Sequence, residues 1–418
     1  VDFAQEIYPV VECAIEGSVK RFVDDQGFLT HDDADTWMDA RIEGKAPWSA
    51  RGNRANDIQA LWHTALHVGA RIAELAGRKP TAQKWRARAE KVAAHFTRAF
   101  WDPKKKLLAD RIRADGSRDL KPRPNQLMVL SVPFDEGLLD RDIEARVLKN
   151  AFEELCFPYG ICSLSPAHPY FHPHHHRDEL WHFDAAYHNG TIWGWNAGFT
   201  TTALCRHDQT EAAWQLAKNL ANQILTMGCR GGMSELVEAL PDAKGRPVLS
   251  GTWQQAWSTA EFARNAYQDF GGFHPRLLDS EIRLTPHIPA EWTRFSAEYP
   301  YGQQNVLRVH FTRQHGKEVF LIEQEGPREP IEIALCHDAF DRRFAVRRPM
   351  RHGDSLTIVI DGKQATVGCN GRWAPPIVGE KHPAPKPLSF ATPPTKARFK
   401  TMETPHYLQR IIESGAFE

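Results

Sequence analysis

The first two-thirds of the chain repeats apolar residues at helical spacing, and the last third switches to alternation. Ile7, Val10, Val11, Ala14, Ile15, Val19 and Phe22 lie on one stripe. That stripe predicts a helix over 3–24, with Pro9 either starting its main body or kinking it. Ile58, Leu61, Trp62, Ala65, Leu66, Ile72 and Leu75 predict a second helix over 55–76, stopped by Gly77 and Pro80. Thr81 is placed to cap a third over 82–101, striped by Trp85, Ala89, Val92, Phe96 and Phe100. The short connection makes these two antiparallel neighbours. Further helices are predicted over 125–130, 140–155, 191–206, 209–227 and 254–270. Long loops intervene at 31–54, 156–188 and 228–252. Connections of that length in a compact domain carry function more often than structure.

Near residue 280 the character changes. Leu307, Val309 and Phe311 alternate with polar residues, and 319–322, 331–335 and 356–360 are short β-rich runs broken by Gly and Asp. The expectation is a mainly α chain with a small antiparallel β domain of sandwich type behind it. The domains fall at 1–278, 279–372 and 373–418. The last is a Pro-rich extended tail (Pro375, Pro376, Pro383, Pro385, Pro387, Pro393, Pro394) running along the surface. A final short helix is predicted from Thr404 and Pro405, docked by Tyr407, Leu408, Ile411 and Ile412.

Composition narrows the function classes. Lys and Arg balance Asp and Glu at 52 each. Zero net charge gives no electrostatic case for nucleic acid or an anionic membrane. No run of about 18 apolar residues appears, so no membrane span is expected. Seven scattered Cys form no CxxC pair, which points to reduced thiols and a cytoplasmic protein. The chain opens on Val1 directly into a helix. It therefore reads as a fragment whose native start, with any targeting signal, lies outside the sequence. Thirteen Trp are a reason to look for a carbohydrate site, the other source being a Trp-rich helical core.

The loop at 31–41 reads HDDADTWMDAR. Asp32, Asp33, Asp35 and Asp39 surround Trp37. A flat aromatic can stack on a sugar face, and a carboxylic acid beside it can protonate a glycosidic oxygen. The plainer alternative is an acidic helix N-terminus. A second candidate, Glu235, lies in a Gly-rich loop before Trp253 and Trp257; alone it reads as an exposed loop residue, as does Glu238. A third stretch, YHNGTIWGW at 187–195, offers His188, Asn189 and Trp193, or else a capped helix start with Trp193 in the core. Asn189 also heads a glycosylation sequon, which a cytoplasmic protein would not use. The histidines 172, 174, 175, 176 and 182 would suit zinc, but no framing Cys or His pattern accompanies them, so no metal is expected. No nucleophile elbow, P-loop or dinucleotide fingerprint is present.

Seven segments occur in a recognisable order: DTWMDA (35–40), ALW (60–62), RPNQ (123–126), YGICSLSP (159–166), YHNGTIW (187–193), SEL (234–236) and QAWS (255–258). In them the chain resembles the glucosidase domain of glycogen-debranching enzymes, the amylo-α-1,6-glucosidase family. The resemblance implies an (α/α)6 toroid of the six-hairpin glycosidase type, here lacking its first helices. It implies an inverting glycoside hydrolase acting on α-1,6 branch points of limit dextrins or related α-glucosides, without a cofactor. Asp39 matches the general acid and Glu235 the general base, with Asp35, Trp37, Asp57, Gln59, Trp62, Asn125, Gln126, His188, Asn189, Trp193, Gln255 and Trp257 toward the sugar. In this chemistry the carboxyls stand about 6.5–9.5 Å apart, leaving room for a water. Asp39 must also carry a proton at the moment of attack, which calls for burial against Trp37 and neighbouring acids.

The sequence departs from the family pattern in three places. Asp57 and Gln59 replace a Glu and an Asn, Gly194 stands for a Pro, and the His-rich insertion is atypical. Two other readings stay open: a related toroidal enzyme with another sugar or a phosphorylase, and a non-catalytic sugar-binding protein. In each the partner is an oligo- or polysaccharide.

Overall fold

Helical stripes and strand alternation sort the chain into two compact units. The computed structural model describes residues 2–132, 137–176, 181–326 and 329–394. One unit comprises Val1–Ala203, Leu216–Thr259 and Leu388–Glu418; the other comprises Leu204–Gln215 and Ala260–Pro387. These bounds differ from the change of composition near 280, because the chain enters the second unit before its first strand. The chain as a whole is mixed, 36% helix and 25% strand, rather than mainly α. No helix among the described residues is long and apolar enough to cross a membrane.

The first unit is helical. α1 (Asp2–Phe22) runs unbroken through Pro9, which is exposed, and buries Ala4, Tyr8 and Ile15. α2 (Asn56–Leu75) packs between α1 and α3 (Lys79–Phe100), burying Trp62, Leu66, Ala70 and Ala73 against partners that include Trp85 and Phe96. α4 (Asn125–Ser131) and α5 (Arg141–Leu155) follow. The interval predicted as wholly irregular contains a two-residue hairpin, Cys156–Phe157 with Gly160–Ile161, and α6 (Phe183–Tyr187). α6 has five residues, too few to show a period. The helix predicted from 191 begins later, as α7 (Asn196–Arg206), because Ile192–Trp193 is a strand. α7 ends in the second unit, α8 (Thr210–Thr226) begins there and returns to the first, and α9 (Ala256–Arg264) crosses into the second after Thr259, where Asn265–Phe270 continues it as a wider π turn. A three-stranded sheet joins Ile192–Trp193, Leu236–Val237 and Leu249–Ser250.

The second unit is a two-sheet sandwich. One sheet orders Phe273–Arg276, Glu281–Leu284, Ile331–Ala339, Arg342–Met350 and Glu380–Lys381. The other orders Arg294–Tyr301, Asn305–Gln314, Lys317–Glu325, Ser355–Asp361, Gln364–Cys369 and Arg372–Trp373, with Ile377–Val378 paired to Gln364–Cys369. Strand alternation puts Leu307, Val309 and Phe311 on one face, where they meet Ile333, Leu335 and Phe344 of the opposite sheet in one core. One pair, Glu281–Leu284 with Ile331–Ala339, is parallel, so the domain is not purely antiparallel.

Among the described residues one trio of potential metal ligands lies close together, Asp208, Asp338 and His382. Arg343 already serves it. Its guanidinium donates to Asp338 at 2.6 Å and Asp208 at 3.4 Å and lies 2.9 Å from His382 Nε2. The tail expected to be extended from 373 instead supplies Ile377–Val378 and Glu380–Lys381 to the two sheets, and 388–391 belongs to the first unit, where Ala391 N–H donates to Cys156 O and Phe390 packs on Phe152. The helix expected from Thr404 lies outside the described residues.

Candidate active site

The acidic stretch is a loop and not a helix start. Its carboxylates fold it. Asp35 accepts the Asp32 N–H at 2.9 Å, and Asp33 accepts the Gly52 N–H at 2.5 Å. His31 Nε2 accepts the Ala55 N–H, so its proton sits on Nδ1 and donates to Asp32 O. Met38 is fully buried at the centre, which fixes Trp37 and Asp39 on either side of it. Asp39 itself is exposed, so the burial expected of it is not supplied by the loop.

A buried charge network holds Trp37. Arg51 pairs with Asp57 at 2.6 Å and with Asp110 at 2.9 Å, all three almost without solvent exposure. The other oxygen of Asp110 accepts from Asn125 Nδ2 at 2.8 Å, and Asn125 Oδ1 accepts from Trp37 Nε1 at 2.8 Å. Arg123 donates to the carbonyls of Ser163 and His188 and to Asn189 Oδ1. Asn189 is further bonded to Ser49 and to the Trp48 and Ala185 carbonyls, which leaves a buried side chain with no room for a glycan.

Six residues expected to touch sugar therefore lie in the wall. Asp57, Asn125 and Asn189 belong to the network above. Gln59 bonds both backbone groups of Leu29, Trp62 donates to Gly27 O, and Gln126 bonds Leu108 N–H and Arg123 O. Their polar atoms are consumed inside the chain. Asp35 is exposed, but its carboxylate closes its own loop.

Trp37, His188 and Trp193 come together. The Trp37 ring meets His188 at 5.3 Å, Trp193 at 5.6 Å and Trp195 at 4.9 Å, each edge to face. His188 stacks flat on Trp193 at 5.4 Å. Its ring is fully buried and neither nitrogen meets hydrogen-bond geometry, the Trp37 backbone lying near. Burial, then the Arg123 and Arg51 charges, push this imidazole well below its ordinary value, so it is neutral.

Glu235 is half-buried just before the strand Leu236–Val237, whose pairing with Ile192–Trp193 sets Leu236 opposite Trp193. Both its oxygens are held. Oε1 accepts the Tyr187 hydroxyl at 2.5 Å, and Oε2 accepts the Thr252 N–H at 2.9 Å. Gly251 makes the second bond possible: its φ is +69° and a Cβ would stand 2.5 Å from Glu235 Oε2. Tyr187 is the residue the sequence argument missed. Burial, the bond to Glu235 and the charges of Glu235 and Asp39 push its phenol well up. One hydroxyl thus senses both candidate carboxylates. Gln255 receives the Ser258 hydroxyl and its N–H donates to Met233 O. Trp257 is 44% exposed and stacks on Trp195 at 4.3 Å. Gly194 sits 2.9 Å from Met233 and Ser258 at the position of its absent Cβ, so the family proline has no room here.

The His-rich run is built into the wall. His174 pairs with Glu238 at 2.7 Å, and His175 bonds Ser250 while stacking on Tyr187. His182 stacks on Trp48. Burial pushes His63, His168 and His172 down to about 4. These imidazoles stay neutral in the folded chain and bind protons when it unfolds, their ordinary value being 6.5. Unfolding then takes up protons, and stability falls as pH drops from about 6.5 toward about 4. The urea midpoint, followed by circular dichroism, is expected to be lower at pH 5 than at pH 7. A midpoint flat across that window would contradict the neutral, buried assignment.

The sequence profile of the amylo-alpha-1,6-glucosidase family matches residues 1–264. The chain belongs to this family of glycosidases. No curated protein matches the chain. Among solved structures it is similar to a GH78 family rhamnosidase of Bacillus SP. GL1 at 18% identity and a TM-score of 0.56, covering 81% of this chain and 31% of that one. It is also similar to a structure named as a sialidase, at 15% identity and a TM-score of 0.57, covering 89% of this chain and 30% of that one. At these identities the likeness concerns fold alone. The chain spans about a third of the length of both structures.

Proposed function

We propose that this family member is an inverting glycoside hydrolase that releases glucose from α-1,6 branch points of limit dextrins or similar α-glucosides. Its helices would form part of an (α/α)6 toroid around the sugar. The observation that carries the reading is Tyr187, whose hydroxyl bonds Glu235 and whose ring packs at 4.7 Å on Trp193, itself 5.6 Å from Trp37 in the Asp39 loop. It supports two carboxylates serving one site, as glycoside hydrolysis requires. Asp39 is the general acid that protonates the departing oxygen. Glu235 is the general base that takes a proton from water on the opposite sugar face. The Tyr187 hydroxyl and the Thr252 N–H, one on each oxygen, fix the direction of Glu235.

Trp37 and Trp193 supply the apolar walls of the glucose pocket, and neutral His188 stiffens them by stacking. Asp39 is exposed, so a bound sugar can reach it directly. The localisation consistent with free thiols is the cytoplasm.

The test is glucose release by the full chain from an α-1,6-branched limit dextrin and from a linear α-1,4 maltooligosaccharide, each with and without inorganic phosphate. Release from the branched substrate, independent of phosphate, is expected. Turnover that requires phosphate would make the protein a phosphorylase, and saturable sugar binding without turnover would make it a binding protein.

A further inference from the structure

The aromatic cluster does not end at the carboxylates. From Trp37 the rings continue through Trp195, 1% exposed, to Trp257, which stacks on Trp195 with an interplanar angle of 11° and is 44% exposed. Trp253, 78% exposed, is the most open large apolar side chain among the described residues. It directly follows Thr252, whose N–H holds Glu235. Burying a Trp is strongly favourable, so a pair left open beside a functional carboxylate has a use in its open state. The backbone there is fixed. Gln255 N–H donates to Met233 O, Glu235 N–H donates to Thr252 O, and Gly232 packs against Gln254.

We propose that Trp253 and Trp257 form an outer platform that binds the glucose units of the substrate beyond the one being cleaved. The pyranose has one face of axial C–H groups, which stacks on an indole without needing a hydrogen-bond partner. A chain of α-linked glucose presents such faces repeatedly, and a single glucose presents one. The platform therefore selects for length: an oligosaccharide gains contacts that glucose cannot make. This inference rests on the reading of the inner site as a glucose site, and binding rather than turnover tests it.

The experiment is a calorimetric titration of the full chain with a linear α-1,4 heptasaccharide, which the proposed activity does not cleave, and, separately, with glucose. Trp253→Ala, Trp253→Phe and Trp257→Ala are compared with the parent chain, and circular dichroism confirms folding of each. Trp253→Ala is expected to raise the heptasaccharide Kd about tenfold, equivalent to about 1.4 kcal/mol, while glucose affinity stays the same. Trp253→Phe is expected to recover part of the loss, because a smaller ring still stacks. Since Trp257 lies against Trp195, the Trp253 variants carry the decision. An unchanged heptasaccharide Kd in Trp253→Ala, or an equal loss for glucose, overturns the platform. Absence of glucose release by the parent chain with the length-dependent binding intact would instead overturn the hydrolase reading and leave the platform standing.

Discussion

Glu235→Gln is expected to lower glucose release by about 10²–10⁴-fold with little change in folding. The amide keeps the shape and the acceptor oxygen, so the Tyr187 hydroxyl or the Thr252 N–H retains a partner. What it loses is the ability to take a proton from water. Asp39→Asn is expected to fall within the same range on an unactivated leaving group. It should fall much less on a substrate with an acidic phenol as leaving group, which departs without protonation. That asymmetry separates acid from base and is read from kcat on the two substrates. Tyr187→Phe removes one of the two groups that orient Glu235, so kcat is expected to fall while the fold, read by circular dichroism, is kept. Wild-type rates in either carboxylate variant would remove that residue from the mechanism. An unchanged kcat in Tyr187→Phe would reduce the tyrosine to a packing group.

Arg51→Met is expected to destabilise the first unit by about 3–5 kcal/mol. Arg51 faces Asp57 and Asp110 with almost no solvent on any of the three. Removing the guanidinium leaves two carboxylates buried together, with the Arg123 guanidinium 3.7 Å from Asp110 as the remaining cation. The effect should reach the site, because Asp110 holds Asn125 and Asn125 holds the Trp37 indole. Arg51→Met with Asp57→Asn removes one of the stranded charges and should recover part of the loss. Urea unfolding followed by far-UV circular dichroism measures the stability, and the Kd for glucose, read by calorimetry, reports the site. A loss under about 1 kcal/mol would show that Arg51 is not the charge that balances this network.

The difference between legible and hidden features follows from the range of the interactions. α2 and α3 could be read because their stripes repeat locally every three to four residues, and the sandwich because Leu307, Val309 and Phe311 alternate. The parallel pairing of Glu281–Leu284 with Ile331–Ala339 could not, since nothing local encodes a register between strands so far apart. The same limit applies to the site. Polar residues at 57, 59, 125, 126 and 189 look like sugar ligands when only type and motif are known. Their partners are supplied by the fold: Trp37 meets Asn125 across 88 positions, and Arg123 meets the His188 carbonyl across 65. Tyr187 lay in plain view inside YHNGTIW, but its hydroxyl acquires meaning only when Glu235, 48 positions on, is brought to it. The 78% exposure of Trp253 is likewise set by the fold and by nothing local in the sequence.

The inverting mechanism proposed for Asp39 and Glu235 would fix the stereochemistry of the product, which makes the product the most direct witness. Proton NMR of the first glucose released from an α-linked substrate, recorded before mutarotation, reads it in one spectrum. The two-carboxylate arrangement proposed here predicts the β-anomer. Initial release of the α-anomer would mean retention through a covalent intermediate, with carboxyls about 5–5.5 Å apart, and would contradict the roles given to Asp39 and Glu235.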